Sequence, residues 1–435
     1  MWTSAGEAIG RQRETLRLLF DAAVHAAQPA GCLPAHLPEP PAKGRLILLA
    51  GGKAAGSMMA FAEAWYADRH GLGPDRLVGL AVTRLGYGVP TRWIEVVEAG
   101  HPVPDAAGVA ATRRTLELAA SATEDDLVLV LLSGGGSANW IAPAGGLTLA
   151  DKQAVTRAML RSGASIGEIN TVRKRLSLIK GGRLARIAAP ARMLTLAISD
   201  VPRDDPSTIA SGPTVPDPTT NADAREIVAR YGLPLPDAAR VLIDDPANET
   251  PKPGDPVFDR TAFRIVAAPR ASVEAAAAAA RAAGYEPVML GADLEGEARE
   301  VAVEQARLAL RLKSEGRRAA ILSGGELTVT LRGGGRGGPN QEFALALAVA
   351  LDGAEGISAV AGDTDGTDGG GGSPDDPAGA FVDPTTLARA RSAGVDPAAS
   401  LADNDSTGFF SATGDLLSPG PTRTNVNDLR AILVD

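Results

Sequence analysis

Cysteine, histidine and aromatic residues are all scarce in this chain of 435 residues. Cys32 is the only cysteine, which excludes an intrachain disulfide and a zinc site built from thiolates. A single thiol fits a reducing compartment, so the sequence predicts a cytoplasmic protein. With four histidines and no His-x-x-x-His pair, a zinc enzyme has little support.

The chain also lacks a basic excess and long apolar runs. Its formal net charge of −9 argues against general nucleic-acid binding, because phosphate backbones require a basic surface. No apolar run reaches the roughly 18 residues of a membrane-spanning helix. Residues 1–27 mix both signs of charge at a helical period, unlike a signal peptide. We therefore expect no nucleic-acid partner, no membrane association and no export.

The chain has instead short apolar runs that end in small residues and lead into helical patterns. Three of them are residues 45–50, 127–132 and 193–198. Such runs are typical of a parallel sheet with helices on both faces. A polar, proline-rich passage at 244–256 then interrupts the pattern. The sequence therefore predicts an α/β protein with an N-terminal domain over 1–245 and a C-terminal domain over 246–435.

Helices and strands alternate again in the C-terminal part. The pattern predicts helices near 271–283, 294–313 and 341–351, and strands near 263–267, 286–290, 319–322, 327–331 and 357–361. This spacing differs from that of the N-terminal part, so we expect a second α/β domain of different topology.

Two glycine-rich loops follow the first two apolar runs. Gly51-Gly52-Lys53 places an ammonium group at the start of a helix, where it and the helix N–H groups can converge on one anion. Lysine there opposes the helix dipole and is a poor choice without an anion nearby, although a solvated helix-start lysine is the alternative. The second loop adds five candidates for binding substrate or phosphate, which are Ser133, Gly134, Gly135, Gly136 and Ser137.

A dense basic patch occupies residues 170–183. At helical spacing Arg173 and Lys180 share a face, so the patch is suited to receive a carboxylate or a phosphate. The alternative for each of these residues is a solvated helix face. The candidates for anion binding are Arg173, Arg175 and Lys180.

Asp200 follows the third apolar run. A carboxylate at a strand end can accept a proton from a substrate hydroxyl or hold a metal. Asp204 and Asp205 either share this chemistry or cap the following turn. His101, in Gly100-His-Pro-Val-Pro, either contacts substrate or only forms a rigid turn.

Glycine, carboxylates and one arginine concentrate in residues 322–326, 333–342 and 362–369. Glycine lets the backbone approach an anion closely, and aspartates offer hard oxygen ligands to a divalent cation. Arg336, isolated among glycines, suits the spread charge of a transferring phosphoryl group. The alternatives are flexible surface turns and a mobile, solvent-facing arginine. We interpret the region as a site for phosphate and metal.

Together these motifs resemble the class II glycerate 2-kinases, the family with a C-terminal MOFRL domain. The resemblance extends over nearly the whole chain, through GGKAAGSM, AGHPVPDAAG, LLSGGGSA, INTVRKRLSLIKGGRLA, SDVPRDDPSTIASGPT, LSGGELTVTLRGGGRGGPNQE, AGDTDGTDG and DNDSTGFF. It implies a cytosolic enzyme that uses ATP, with Mg²⁺ or another divalent cation, to phosphorylate D-glycerate, usually at the 2-hydroxyl. It also implies an active site in a cleft between a Rossmann-like N-terminal domain and a smaller C-terminal domain, with the MOFRL region at about 318–430.

The resemblance also assigns residues. It implies that Lys53, Asp200 and Arg336 act at the phosphoryl-transfer centre. Candidate metal ligands are Asp363, Asp365 and Asp368. Candidate nucleotide contacts are Ser323, Gly324, Gly325, Glu326, Asn340 and Glu342, and Glu326 is a candidate for the metal as well.

Two other functions stay open. A hydroxypyruvate reductase would need a nicotinamide site, and residues 51–56 lack the Gly-x-Gly-x-x-Gly order of such sites. A non-catalytic nucleotide or sugar-acid binding protein would have no need for Lys53, Asp200 and Arg336 together. For the kinase, the expected partners are D-glycerate and ATP, and the chain is expected to be a monomer or a homodimer.

Overall fold

The computed structural model describes residues 4–370 and 373–435, and the chain divides into two compact units. The first, called here the parallel-sheet unit, is continuous over Cys32–Val266. The second, called the mixed-sheet unit, combines Met1–Gly31 with Ala267–Asp435. The prediction of a two-domain α/β protein is confirmed.

Within the described residues, twelve strands form two six-stranded sheets. In chain order they are β1 (Leu46–Gly51), β2 (Leu77–Arg84), β3 (Glu95–Ala99), β4 (Leu127–Leu132), β5 (Arg192–Ile198), β6 (Thr261–Ala267), β7 (Glu286–Leu294), β8 (Ala319–Gly325), β9 (Ile357–Asp363), β10 (Gly379–Val382), β11 (Leu416–Leu417) and β12 (Asp428–Val434). The order is β3-β2-β1-β4-β5-β6 in the first sheet and β11-β10-β9-β12-β8-β7 in the second.

The helices alternate with these strands. They are α1 (Ser4–Ala26), α2 (Pro29–Cys32), α3 (Ala55–His70), α4 (Ala106–Ala120), α5 (Gly136–Asn139), α6 (Leu149–Ser162), α7 (Ile166–Arg175), α8 (Arg183–Ala188), α9 (Asn221–Arg230), α10 (Asp237–Asp244), α11 (Pro269–Ala282), α12 (Ala298–Ser314), α13 (Pro339–Leu351), α14 (Thr386–Ser392), α15 (Pro397–Asp403) and α16 (Ser406–Thr413). Within the described part of the chain, every helix is too short or too polar to span a lipid bilayer.

The first sheet is the centre of the parallel-sheet unit. β1 to β5 pair in parallel, and every residue of β1 and β4 is buried, as expected for apolar strands between two layers of helices. A separate apolar cluster joins α6, α7, α9 and α10, with Met159, Val172 and Ile227 buried in it. α7 begins with a capping box in which Ser165 and Glu168 satisfy each other's backbone N–H groups. The cluster and the cap together fix the helix that carries Arg173 and Arg175. Lys180 lies beyond the end of this helix, so the prediction that Arg173 and Lys180 share a helical face is wrong.

The second sheet is mixed, because β12 runs antiparallel to both β8 and β9 while β7 and β8 are parallel. One apolar cluster contains Phe20 of α1 with Val273 of α11 and Leu433 of β12. Another contains Ala302 of α12 with Phe343 of α13. Helices from both ends of the chain therefore build the core of the mixed-sheet unit.

The units divide at other positions than the predicted 1–245 and 246–435. β6 is the edge strand of the first sheet, so the parallel-sheet unit extends beyond the proline-rich passage to Val266. The predicted strand near 327–331 is wrong, although the other predicted strands are present. Thr328 makes only an isolated bridge to Glu297, and the N–H of Thr330 donates to a side-chain oxygen of Glu297. The hydrogen bond to the Glu297 side chain takes the place of the backbone ladder that a strand there would form.

Candidate active site

The first sheet has a topological switch point between β1 and β4. β1 and β4 are neighbours in the sheet. β2 and β3 lie on the side of β1, whereas β5 and β6 lie on the side of β4, so the connections after β1 and β4 run in opposite directions. In open α/β sheets a ligand binds beyond the carboxyl ends of the strands at such a point. Gly51 is paired in register with Leu132, so the loops that follow them begin side by side.

Backbone and hydroxyl bonds join these two loops. The N–H of Lys53 donates to the carbonyl oxygen of Gly134 at 2.7 Å, and the N–H of Ala54 donates to Ser133 Oγ at 2.8 Å. Gly52 has a φ of +123°, and a Cβ there would lie 2.8 Å from the Gly134 oxygen and closer still to Ser133. The close approach requires glycine, and it fixes the position from which the Lys53 side chain extends.

The side chains of Lys53 and His101 lie beside the same glycine. A Cβ on Gly135, whose φ is +82°, would be 3.0 Å from Lys53 Cγ and 3.2 Å from His101 Nε2. Lys53 and His101 are both half-buried. The structure thus brings the Lys53 side chain, the His101 imidazole and a glycine-rich loop together at the switch point. This arrangement is suited to binding an anion.

Ser137, at the start of α5, connects this loop to the one that follows β5. Its Oγ lies 2.8 Å from Ser211 Oγ, and its carbonyl oxygen accepts from Lys180 Nζ at 3.0 Å. Lys180 is buried, and burial lowers the pKa of this lysine well below its usual range. Because its ammonium group binds backbone carbonyls of two loops, including that of Ala210 at 3.5 Å, its position favours holding the loops over contacting substrate.

Asp200 is half-buried two residues after the end of β5. In the loop that follows it, Arg203, Asp204, Ala210 and Ser211 adopt left-handed φ values of 60°, 54°, 50° and 62°. Such conformations in residues other than glycine are costly and concentrate at functional sites. Asp205 instead accepts from the N–H of Ser207 and from Thr208 Oγ1, which is the turn-capping alternative.

Arg175 of the basic patch lies in a buried ionic network. Its side chain is fully buried, with Nη1 donating to Asp217 Oδ2 at 2.6 Å and Nη2 donating to Glu249 Oε1 at 3.2 Å. Lys174 donates to the other oxygen of Asp217 at 3.1 Å. This position favours a structural role for Arg175, unlike the predicted contact with substrate. Arg173 is half-buried on the same helix.

In the mixed-sheet unit, Asp368 caps the first turn of α13. Its two carboxylate oxygens accept from the backbone N–H groups of Asn340 and Gln341 and from both side-chain amides. Burial and the nearby carboxylate of Asp428 raise the pKa of Asp368 to about 7. A carboxylate with four N–H donors is an unsuitable cation ligand, so its position favours a structural role over the predicted metal contact.

Three of the candidate nucleotide contacts are also buried in internal bonds. Ser323 Oγ accepts from Gln305 Nε2 at 3.2 Å and from Arg430 Nε at 3.3 Å. Glu342 forms an ion pair with Arg299. Asn340 donates to Asp428 Oδ1 at 2.7 Å. Gly324 and Gly325 end β8, and Glu326 follows as an exposed residue.

The glycine-rich loop around Arg336 is held by side-chain acceptors from residues 403–405. Asn404 Oδ1 accepts from the N–H groups of Arg332 and Gly333 at 2.7 and 3.0 Å. Asp405 Oδ1 accepts from the N–H of Arg336 at 3.2 Å. These N–H groups are therefore engaged within the protein, and the exposed side chain of Arg336 is what the loop offers to a ligand.

Asp363 and Asp365 lie at the end of β9. Asp363 is half-buried and its Oδ1 accepts from the N–H of Asp365 at 2.9 Å, while Asp365 is buried and accepts from Thr367. Across residues 4–370 and 373–435, no three His, Cys, Asp or Glu side chains are grouped closely enough to hold a metal ion. The structure thus does not bring Asp363, Asp365 and Asp368 together as a triad.

Sequence reasoning missed two features of the structure. The motif DNDSTGFF contributes to the family resemblance, and its Asn404 and Asp405 hold the loop around Arg336. Asn139, at the end of α5, is fully buried and neither polar atom of its amide has a partner in the described residues. The motif was a signal for the residues that hold the Arg336 loop. The sequence around Asn139 gave no signal that its amide is buried without partners among the described residues.

Comparisons with known proteins cover nearly the whole chain. The family model described as a domain of unknown function, DUF4147, matches residues 15–244, and that of the MOFRL family matches residues 319–428. A D-glycerate 2-kinase of Thermotoga maritima is 41% identical over 390 residues, which are 88% of this chain and 89% of that protein. The crystal structure of glycerate kinase from the same organism superimposes with a TM-score of 0.85 at 38% identity, covering 98% of this chain and all of that one.

Two similar proteins of Agrobacterium vitis have a different name. A protein of Agrobacterium vitis with the provisional name hydroxypyruvate reductase is 52% identical over 428 residues, which are 97% of this chain and 94% of that protein. The two names describe different chemistry on similar chains. An activity test therefore has to include both reactions.

Proposed function

Because the chain belongs to the class II glycerate kinase family, we infer that it is an ATP-dependent kinase that phosphorylates D-glycerate. The observation in this chain that supports the inference most directly is the meeting of Lys53 with the Ser133–Gly136 loop at the switch point of the parallel sheet. A helix start, glycine N–H groups and an ammonium group are what a phosphoryl group requires.

We propose the 2-hydroxyl as the acceptor and assign roles as follows. Asp200 orients the hydroxyl and accepts its proton, because it follows β5 at the same edge of the sheet. Lys53 neutralises charge on the transferring phosphoryl group. Arg336 belongs to the mixed-sheet unit, and its predicted part in the transfer, like the predicted cleft, stays a prediction. Cytoplasmic location and a monomeric or homodimeric state also stay predictions.

A divalent cation fits the carboxylates at the end of β9. Mg²⁺ commonly binds one or two protein carboxylates together with substrate phosphates and water, so a protein-only triad is unnecessary. We propose that Asp363 and Asp365 hold it. When bound, the cation neutralises charge on the ATP phosphates.

The proposal is tested by incubating the purified chain with D-glycerate and ATP and measuring ADP release. Phosphorus NMR of the product identifies the phosphorylated hydroxyl. Incubation with hydroxypyruvate and NADH in a parallel sample tests the reductase. Oxidation of NADH in the parallel sample, with no ADP release in the first, would refute the kinase function.

Lys53→Met tests the assigned site. Removing one charge-stabilising group typically lowers kcat by about 100- to 1,000-fold, and we expect an effect of that size. Lys43→Met is the matched control, because Lys43 is an exposed lysine of the same unit. Equal turnover by the two variants would remove Lys53 from the role.

A further inference from the structure

Arg173 has an unusual position among the cations of α7. Its neighbours Lys174 and Arg175 both form ion pairs with Asp217. The guanidinium group of Arg173 is half-buried, yet it forms no hydrogen bond or ion pair within residues 4–370 and 373–435. Burial lowers the pKa of Arg173, which indicates that its charge loses hydration without compensation.

Two buried lysines contribute to the same field. Lys152 Nζ donates to the carbonyl oxygen of Leu176 at 2.8 Å, and Lys180 donates to two carbonyl groups. Burial, and then the charges of Arg173 and Arg183, lower the pKa of Lys152 to about 7. Neither lysine nor Arg173 forms an ion pair with a carboxylate in the described part of the chain. These three cations therefore form a positive cluster that no ion pair with a described carboxylate neutralises.

A chain of polar contacts links Asn170, a neighbour of Arg173 on α7, to the switch-point loops. Asn170 lies three residues before Arg173, so the two side chains share one face of α7. Asn170 Oδ1 accepts from Ser211 Oγ at 3.3 Å, and Ser211 Oγ lies 2.8 Å from Ser137 Oγ. Ser137 directly follows the loop that contacts Lys53. The face of α7 that carries Arg173 is thus connected to the edge of the sheet where we place phosphoryl transfer.

We propose that Arg173 binds the carboxylate of the acceptor acid and is the residue that selects an acid over a neutral polyol. The proposal rests on the kinase function given above, and it adds a specificity residue to that site. A guanidinium group matches a carboxylate in a bidentate geometry that lysine cannot reproduce. Because Arg173 forms no ion pair with a carboxylate of the described residues, this geometry is left for a ligand.

The test compares an acid with its neutral analogue. Binding of D-glycerate and of D-glyceramide, in which a neutral amide replaces the carboxylate, is measured by calorimetry on the full chain with saturating ADP. For Arg173→Gln we expect a loss of about 10- to 100-fold in affinity for D-glycerate, as for a charge-assisted hydrogen-bonded pair, and no change for the amide. Arg173→Lys should give a smaller loss, again confined to the acid.

Arg157→Gln is the matched control, because Arg157 is an exposed arginine of α6. An equal loss for acid and amide in Arg173→Gln, or an equal loss in Arg157→Gln, would overturn the proposal. If Arg173→Gln does not fold, Arg173→Lys carries the comparison by itself. Wild-type protein that binds D-glycerate more tightly than D-glyceramide but transfers no phosphate would refute the kinase function and still support the carboxylate site.

Discussion

Gly52→Ala should impair catalysis far more than its single methyl group suggests. The backbone at this position has a φ of +123°, a region that residues other than glycine occupy only with strain of about 1–3 kcal/mol. The new Cβ would lie 2.8 Å from the carbonyl oxygen of Gly134, and closer still to Ser133. Ordinary contacts of a Cβ begin at 3.4 Å, so the two loops must separate by more than 0.6 Å.

That displacement acts directly on Lys53. Its N–H donates to the same Gly134 oxygen, and the next N–H donates to Ser133 Oγ, so both bonds weaken as the loops separate. Misplacement of a catalytic group by about 1 Å costs on the order of 100-fold in rate. We therefore expect kcat to fall about 10- to 100-fold, measured as ADP release with D-glycerate.

Gly71→Ala provides the control, because Gly71 caps the C-terminus of α3, the helix that begins after Gly52. Gly71 also has a positive φ, of 65°, but no atom lies within 4 Å of the added Cβ. It should lose about 1 kcal/mol of stability and keep its kcat. Normal turnover in Gly52→Ala, or equal losses in both variants, would refute the reasoning.

Two further predictions concern the mixed-sheet unit. Asp405→Ala should lower kcat at least about 10-fold, because Asp405 Oδ1 holds the N–H of Arg336. The control Asp396→Ala removes only the cap of α15 and should keep full activity. Similar kcat values for the two variants would contradict the prediction. The pKa of Asp368 is raised to about 7, so the folded state binds the proton of this carboxyl more tightly than the unfolded state does. This difference contributes up to about 4 kcal/mol to the free energy of unfolding. The contribution is fully present below pH 4 and is lost as the pH rises through 7. The melting temperature of Asp368→Asn should consequently fall less steeply than that of the wild type between pH 4 and 7, and parallel curves would show that Asp368 does not titrate there.

Local patterns predicted the strands and loops around Lys53, because continuous apolar runs and terminal glycines are properties of adjacent residues. The predicted runs at 45–50 and 127–132 became β1 and β4. Long-range partners were beyond such reasoning. The residues around Arg175 in the sequence do not predict its ion pairs with Asp217 and Glu249. Those around Asp368 do not predict its hydrogen bonds to the start of α13. Charged residues with identical local context therefore separate into structural and ligand-facing groups only when the fold supplies their partners.

The membership of α1 in the mixed-sheet unit has a consequence for biosynthesis. This helix is made before the parallel-sheet unit, but β12, which shares a core cluster with it, is made after that unit. The parallel-sheet unit, Cys32–Val266, is continuous and can fold as soon as it has emerged. During that interval the apolar face of α1, with Leu16, Leu19 and Phe20, has no permanent partner. A nascent chain stalled before residue 267 would thus expose a surface that chaperones bind, which the completed protein conceals.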